Sequence, residues 1–123
     1  MSVPGPMRNA SKPHSRAQTS TRNGLLVLSN ECTLPVPALP KGREWSREER
    51  KLWRSIWTGP QGNAYDDSFI AAVAAYVCHA SAIYSGAASA WQAQEFRHLG
   101  AQLGLTPAGM ASLGWTIESE GGK

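Results

Sequence analysis

Few side chains in this sequence combine a type and a spacing that could do chemistry. Asp66 and Asp67 form an adjacent carboxylate pair, Glu95 and His98 stand three residues apart, Cys78 and His79 are neighbours, and His14 stands alone near the start. Paired carboxylates can divide acid and base roles between them. These two, however, immediately precede an apolar helical run, where a carboxylate caps the first turn and favours the positive end of the helix dipole. Cys78 and His79 on a helix diverge by about 100°, so they do not converge on one metal ion. A Glu–His pair at i, i+3 meets on a helix surface, which is an ordinary surface contact and falls short of a ligand set. Gly59-Pro60-Gln61-Gly62 lacks the lysine of a phosphate-cradling loop and reads as a plain connection. No base and orienter accompany a Ser or Cys nucleophile. The sequence is read as a non-enzyme, without metal or cofactor.

The chemistry left open is contact with phosphate. Lys41 and Arg43 lead into a segment where Arg47, Arg50, Lys51 and Arg54 recur at i, i+3, i+4, i+7, and Arg8, Lys12, Arg16 and Arg22 dot the residues before them with no acid among these four. Residues 1–54 hold ten Lys and Arg against four acids, a net of +6, while residues 55–123 hold two against five, a net of −3. Such asymmetry on a chain of formal charge +3 points to a polyanion partner, nucleic acid being the usual one. Lys41, Arg43, Arg47, Arg50, Lys51 and Arg54 are the candidate nucleic-acid contacts.

These cations need a helix to align them. Ser46 with Glu49 three residues on is a capping box, and Thr58-Gly59-Pro60 should stop the helix with a left-handed cap followed by a breaker. Between the two, Leu52, Trp53 and Ile56 project to one side and the basic residues to the other. A second helix is expected from Asp66 or Asp67 to about Tyr84, carried by Phe69, Ile70, Val73, Tyr76, Val77, Ala80 and Ile83, with Gly86 breaking it. A third should run from about Ala87 to Leu103, with Trp91, Phe96, Leu99 and Leu103 in the core and Gly104 ending it. Thr106-Pro107 opens a short fourth helix, Thr as cap and Pro at the first position, closing at Leu113-Gly114 with Trp115 folding back. The expected fold is all-α: a small helical bundle or hairpin body of about four helices over residues 45–117, with no strand in it. Residues 1–44 form a basic, Pro- and Ser-rich arm, expected disordered because six prolines interrupt it and apolar residues are sparse; residues 118–123 form a disordered tail. Leu25–Leu28 is the arm's one apolar run, either a docking strand or a staple onto the body.

No formally charged residue occurs from Ser68 to Gln94. A surface helix of a monomer normally shows a charged stripe, and a body this small has too little interior to cover a helix on every side. Ala71, Ala74, Ala75, Val77 and Ala82 are therefore the expected interface of a homo-oligomer. Two distant cysteines, Cys32 and Cys78, and the lack of an apolar leader suit a reducing cytoplasm. The most apolar run, Phe69–Tyr84, is shorter than the ~20 residues a membrane span needs.

The ordered motifs form a recognisable series. Leu39-Pro40 leads to Trp45; the first helix ends Leu52-Trp53-Arg54-Ser55-Ile56-Trp57, followed by Thr58-Gly59-Pro60 and Tyr65-Asp66-Asp67; Leu103-Gly104-Leu105-Thr106-Pro107 and Leu113-Gly114-Trp115 close the body. Over roughly residues 35–117 this resembles the small subunit of phage terminase, of the kind carried by actinobacterial tailed phages and prophages. The resemblance implies a non-catalytic DNA-packaging adaptor in the cytoplasm of the bacterial host. Such an adaptor binds double-stranded viral DNA, assembles as a ring and recruits or regulates the large terminase subunit. The competing readings from the residues alone are a helical protein–protein interaction module with no nucleic-acid role and a small helix-turn-helix regulator. The long Thr58–Ala64 loop ahead of an uncharged helix disfavours the regulator.

Overall fold

The computed structural model describes residues 20–118. Four helices dominate: α1 (Arg47–Thr58), α2 (Ile70–Tyr84), α3 (Ala90–Gln102) and α4 (Pro107–Leu113). Three short strands, β1 (Ser20–Arg22), β2 (Leu25–Leu28) and β3 (Trp115–Ile117), form one sheet in the order β1-β2-β3.

Local chemistry accounts for the helix ends. At α1 the capping box is complete: Ser46 Oγ accepts the Glu49 amide at 3.1 Å while the Glu49 carboxylate accepts the Ser46 amide at 2.8 Å. Gly59 is not left-handed as expected; its φ of −81° and ψ of −179° are extended. Pro60 explains the difference, since a proline ring pushes the preceding residue out of helical geometry without requiring a positive φ. The chain then makes a 3-10 turn over Pro60–Asn63. Asp66 caps a second 3-10 turn, Asp67–Phe69, which runs directly into α2. α3 begins three residues later than expected because Ser89 and Gln92 form another capping box, leaving Ala87 and Ala88 outside the helix after Gly86 at φ +80°. Thr106 caps α4, and Gly114 ends it in the left-handed conformation.

Residues 20–44 depart from the expected disordered arm; residues 1–19, with Arg8, Lys12 and Arg16, and residues 119–123 lie outside the described residues. Asn23 and Gly24, both at positive φ, make the two-residue turn that suits a twisted hairpin and join β1 antiparallel to β2. β2 then pairs in parallel with β3, Leu26 opposite Trp115 and Leu28 opposite Ile117. Trp115 thus folds back as expected, but as part of a strand. Beyond the hairpin the Pro-rich run is anchored through its carbonyls: Trp53 Nε1 donates to the Pro37 oxygen at 2.8 Å, and Trp45 Nε1 to that of Pro40 at 3.0 Å. The Cys32 amide donates to Thr58 at 2.9 Å. Prolines lack an amide donor, yet their carbonyls satisfy indole N–H groups that burial would otherwise strand.

The core lies where α1 crosses α2. Trp53, Ile56 and Trp57 meet Tyr65, Val73, Ala74, Val77 and Leu103. Aromatic rings continue in contact from Trp53 to Trp57 (5.5 Å), Tyr65 (5.2 Å) and Phe69 (4.6 Å). The Tyr65 hydroxyl donates to the Leu103 carbonyl at 2.7 Å, tying the end of α3 to this aromatic row. On its other flank α2 packs on α3, with Tyr76 stacked on Phe96 at 4.6 Å. Trp91, expected in the core, is 63% exposed. It lies about 140° around α3 from Phe96, and Phe96 takes the inward direction. Among the described residues one helical stretch, Asp67–Tyr84, is long and apolar enough to cross a membrane; here its Val73, Ala74, Val77 and Ala80 are buried inside the fold.

Candidate nucleic-acid interface

α1 presents opposite chemistries on opposite sides. Glu49, Trp53, Ile56 and Trp57 are buried, and Arg47, Arg50, Lys51 and Arg54 are all exposed. Arg47, Lys51 and Arg54, at i, i+4, i+7, make a row about 10 Å long down the solvent side. Lys41 is exposed in the preceding loop, next to Gly42 at φ +109°.

The structure separates the six predicted cations into two sets. Arg43 is turned into the body. Its Nη2 donates to both Glu49 carboxylate oxygens at 2.9 and 3.1 Å, its Nε to the Glu44 carbonyl at 2.9 Å and its Nη1 to Cys78 Sγ at 3.0 Å. The guanidinium carbon also sits 4.0 Å from the centre of the Trp45 ring. Arg50 Nη1 donates to the Trp45 carbonyl. Both residues lock the loop before α1 against the helix. Arg47, Lys51 and Arg54, with Lys41, are the cations that project outward.

Glu49 is the anion around which this arrangement is built. It is only 6% exposed. Loss of solvent pushes its carboxyl up, but hydrogen bonds from the Ser46 amide and Ser81 and the charge of Arg43 outweigh that and hold it below the usual carboxylate range. The capping role of Glu49 is legible in the sequence, but its pairing with Arg43, six residues away in a loop, is not; an Arg flanked by Gly42 and Glu44 gives no signal of which way it turns.

The residues expected at a subunit interface also divide. Ala74 and Val77 are buried in the chain's own core, so they are not free to meet another copy; with no charge on the helix, periodicity could not tell which side the body would use. Ala71 is exposed and Ala75 and Ala82 are half-buried, sharing one side of α2 with Cys78. The Asp66-Asp67 pair does local work: Asp66 accepts the Ser68 amide at 2.8 Å and the Ser68 hydroxyl. Among the described residues no cluster of three or more His, Cys, Asp and Glu is placed to hold a metal.

One feature had no sequence signal. A groove of about 600 Å³ opens between α1 and the second half of α2. Leu52 and Val77 form its apolar floor; Ser55, Ser81 and Tyr84 line its walls, with Glu48 and Lys51 at the edge.

No curated protein and no solved structure matches the chain. A family model described as phage terminase small subunit matches it over residues 3–123.

Proposed function

The chain belongs to the phage terminase small subunit family, and we propose that it is the non-catalytic adaptor of viral genome packaging. In this reading it binds double-stranded viral DNA in the cytoplasm of the bacterial host, self-associates as a ring and recruits or regulates the large terminase subunit. The observation that carries the DNA contact is the exposed row Arg47, Lys51 and Arg54 on α1, with Lys41 beside it. Cations on a rigid helix, held by a buried apolar face behind them, can neutralise phosphates without rearranging the fold. Arg43 and Arg50 support the row by fixing the loop that leads into it. No residue is assigned to base reading, so the contact is electrostatic and register-setting. For self-association, Ala71, Ala75 and Ala82 remain accessible on α2, and the stretch Ser68–Gln94 offers no charge to keep a neighbour away.

The test is a salt titration of binding to duplex DNA by the full chain and by the Arg47→Ala/Lys51→Ala/Arg54→Ala variant. Three phosphate contacts give a slope of log affinity against log salt of about −2.7 per subunit, and the variant should lose nearly all of it. The oligomeric mass should stay unchanged. Equal affinity and slope for the two proteins would reject the assignment and favour a protein–protein module.

A further inference from the structure

The α2–α3 hairpin leaves two large aromatic side chains in water. Tyr84 is 78% exposed and Trp91 is 63% exposed. Tyr84 borders the α1–α2 groove. The Trp91 ring stands 6.0 Å from that of His79 and nearly perpendicular to it. An exposed tryptophan and an open apolar groove are each ordinary parts of an interface centre.

The two features cannot satisfy each other within one molecule. On α2, Val77, Ser81 and Tyr84 line the groove toward α1, whereas Tyr76 and His79 meet Phe96 and Trp91 of α3. His79 lies about 160° around the helix from both Val77 and Ser81. Groove and tryptophan therefore sit on opposite flanks of the same helix.

We infer that Trp91 at the start of α3 in one copy of this chain seats in the α1–α2 groove of the next, against Leu52 and Tyr84. This specifies the contact behind the self-association proposed above and rests on that reading. Charge supports a second copy as the occupant. The groove's lining holds Glu48, Glu49 and Lys51; Glu49 is already paired with Arg43, which leaves one charge of each sign, and α3 beyond Trp91 likewise carries Glu95 and Arg97. The stretch between, Ser68–Gln94, is neutral, so docking strands no charge against the apolar floor. Seating also covers both exposed aromatics at once, Trp91 against the ring of Tyr84. A knob on one flank and a hole on the other make a head-to-tail contact, which each subunit uses twice and which closes into a ring or extends as a helix.

Light scattering on the full chain tests this with two variants. Trp91→Ala removes the knob, and Ser55→Trp fills the groove from an exposed position of α1. Circular dichroism should show both folded, because neither site contributes to the core. The wild type should be oligomeric at tens of micromolar, and each variant alone should be monomeric, with self-association weakened on the order of 30-fold or more, as for a central tryptophan at an interface. An equimolar mixture should form a dimer and nothing larger, because only one competent joint remains between the two variants. A Trp91→Ala variant with the wild-type mass would overturn the contact while leaving self-association standing. A mixture of folded variants that stays monomeric would overturn its head-to-tail character. A monomeric wild type would remove both this contact and the self-association reading, and leave the salt titration of the α1 row to decide DNA binding by itself.

Discussion

Arg43 and Arg47 look alike in the sequence, and the structure gives them opposite jobs. Replacing Arg43 with Ala should weaken the fold and spare DNA affinity; replacing Arg47 should do the reverse. The magnitude follows from what Arg43 touches. Its Nη2 makes two hydrogen bonds to a carboxylate that is 6% exposed, and hydrogen bonds to charged groups contribute about 1.5–3 kcal/mol. The Arg43 side chain is itself 45% exposed, so the lower end applies after solvent screening. The full loss of about 3–5 kcal/mol seen when a buried ion pair is broken is not expected, because the Ser46 amide stays with Glu49. Adding about 0.5 kcal/mol for the stack on Trp45 gives roughly 2 kcal/mol in all, a fall in Tm of about 8–16 °C for a domain of this size. Arg47→Ala should remain within about 0.5 kcal/mol of the wild type and lower the salt slope of DNA binding by about 0.9. Calorimetry and urea denaturation of both variants, beside a binding titration, make the comparison. If Arg43→Ala proves no less stable than Arg47→Ala, the division of the basic residues into internal and outward sets is wrong.

Other outcomes follow from the same contacts. The Glu49 carboxyl is held below its usual value of 4.5, so its ionised form stabilises the fold fully above about that pH and progressively less as pH falls through the lower folded value. The stability gap between wild type and Glu49→Gln should be flat near neutrality and shrink in acid, and a gap independent of pH down to the acid transition would contradict this. Burial raises the Tyr65 hydroxyl above its ordinary 10.0, with Tyr76 adding to the shift; stability should therefore be intact below pH 10 and decline as pH rises beyond it. Tyr65→Phe should flatten that decline and cost about 1–3 kcal/mol at pH 7 by leaving the Leu103 carbonyl without its partner, which urea titrations at the two pH values would read. A Cβ at Gly62 would stand 2.1 Å from the Trp57 carbonyl oxygen, so Gly62→Ala should lose about 1–3 kcal/mol, and an unchanged urea midpoint would show that the turn gives way freely.

What the sequence disclosed was mainly local. Ser46 with Glu49, Thr106 with Pro107 and Gly114 each satisfy backbone groups within a few residues, so the ends of α1 and α4 could be read directly. Ser89 and Gln92 carry the same capping-box spacing, and it is this box, not the helix-favouring alanines before it, that sets the start of α3. Asn23 and Gly24 make a hairpin turn, but strands of three and four residues carry too little alternation to stand out from a Pro-rich surrounding. The parallel partner of β2 was beyond reach, since Leu26 and Trp115 are brought together by the whole helical body between them. The candidate site shows the same limit. The positions of Arg47, Lys51 and Arg54 follow from the helical repeat, whereas Arg43 turns inward because of a carboxylate across a loop. Ala74 and Val77 are covered because α1 crosses α2 there, and no periodicity in an uncharged helix could report that.

The sheet has a consequence for the two extremities of the chain. Ser20 lies opposite Val27, and the Glu118 amide donates to the Leu28 carbonyl at 2.8 Å. Both boundaries of the folded portion thus emerge at the same end of β2, one on each side of it, about 10 Å apart at ordinary strand spacing. A short Gly-Ser bridge could join them, which makes the protein suited to circular permutation with new ends opened at Gly86. In an assembly of identical copies, Ser20 and Glu118 would lie side by side on every subunit.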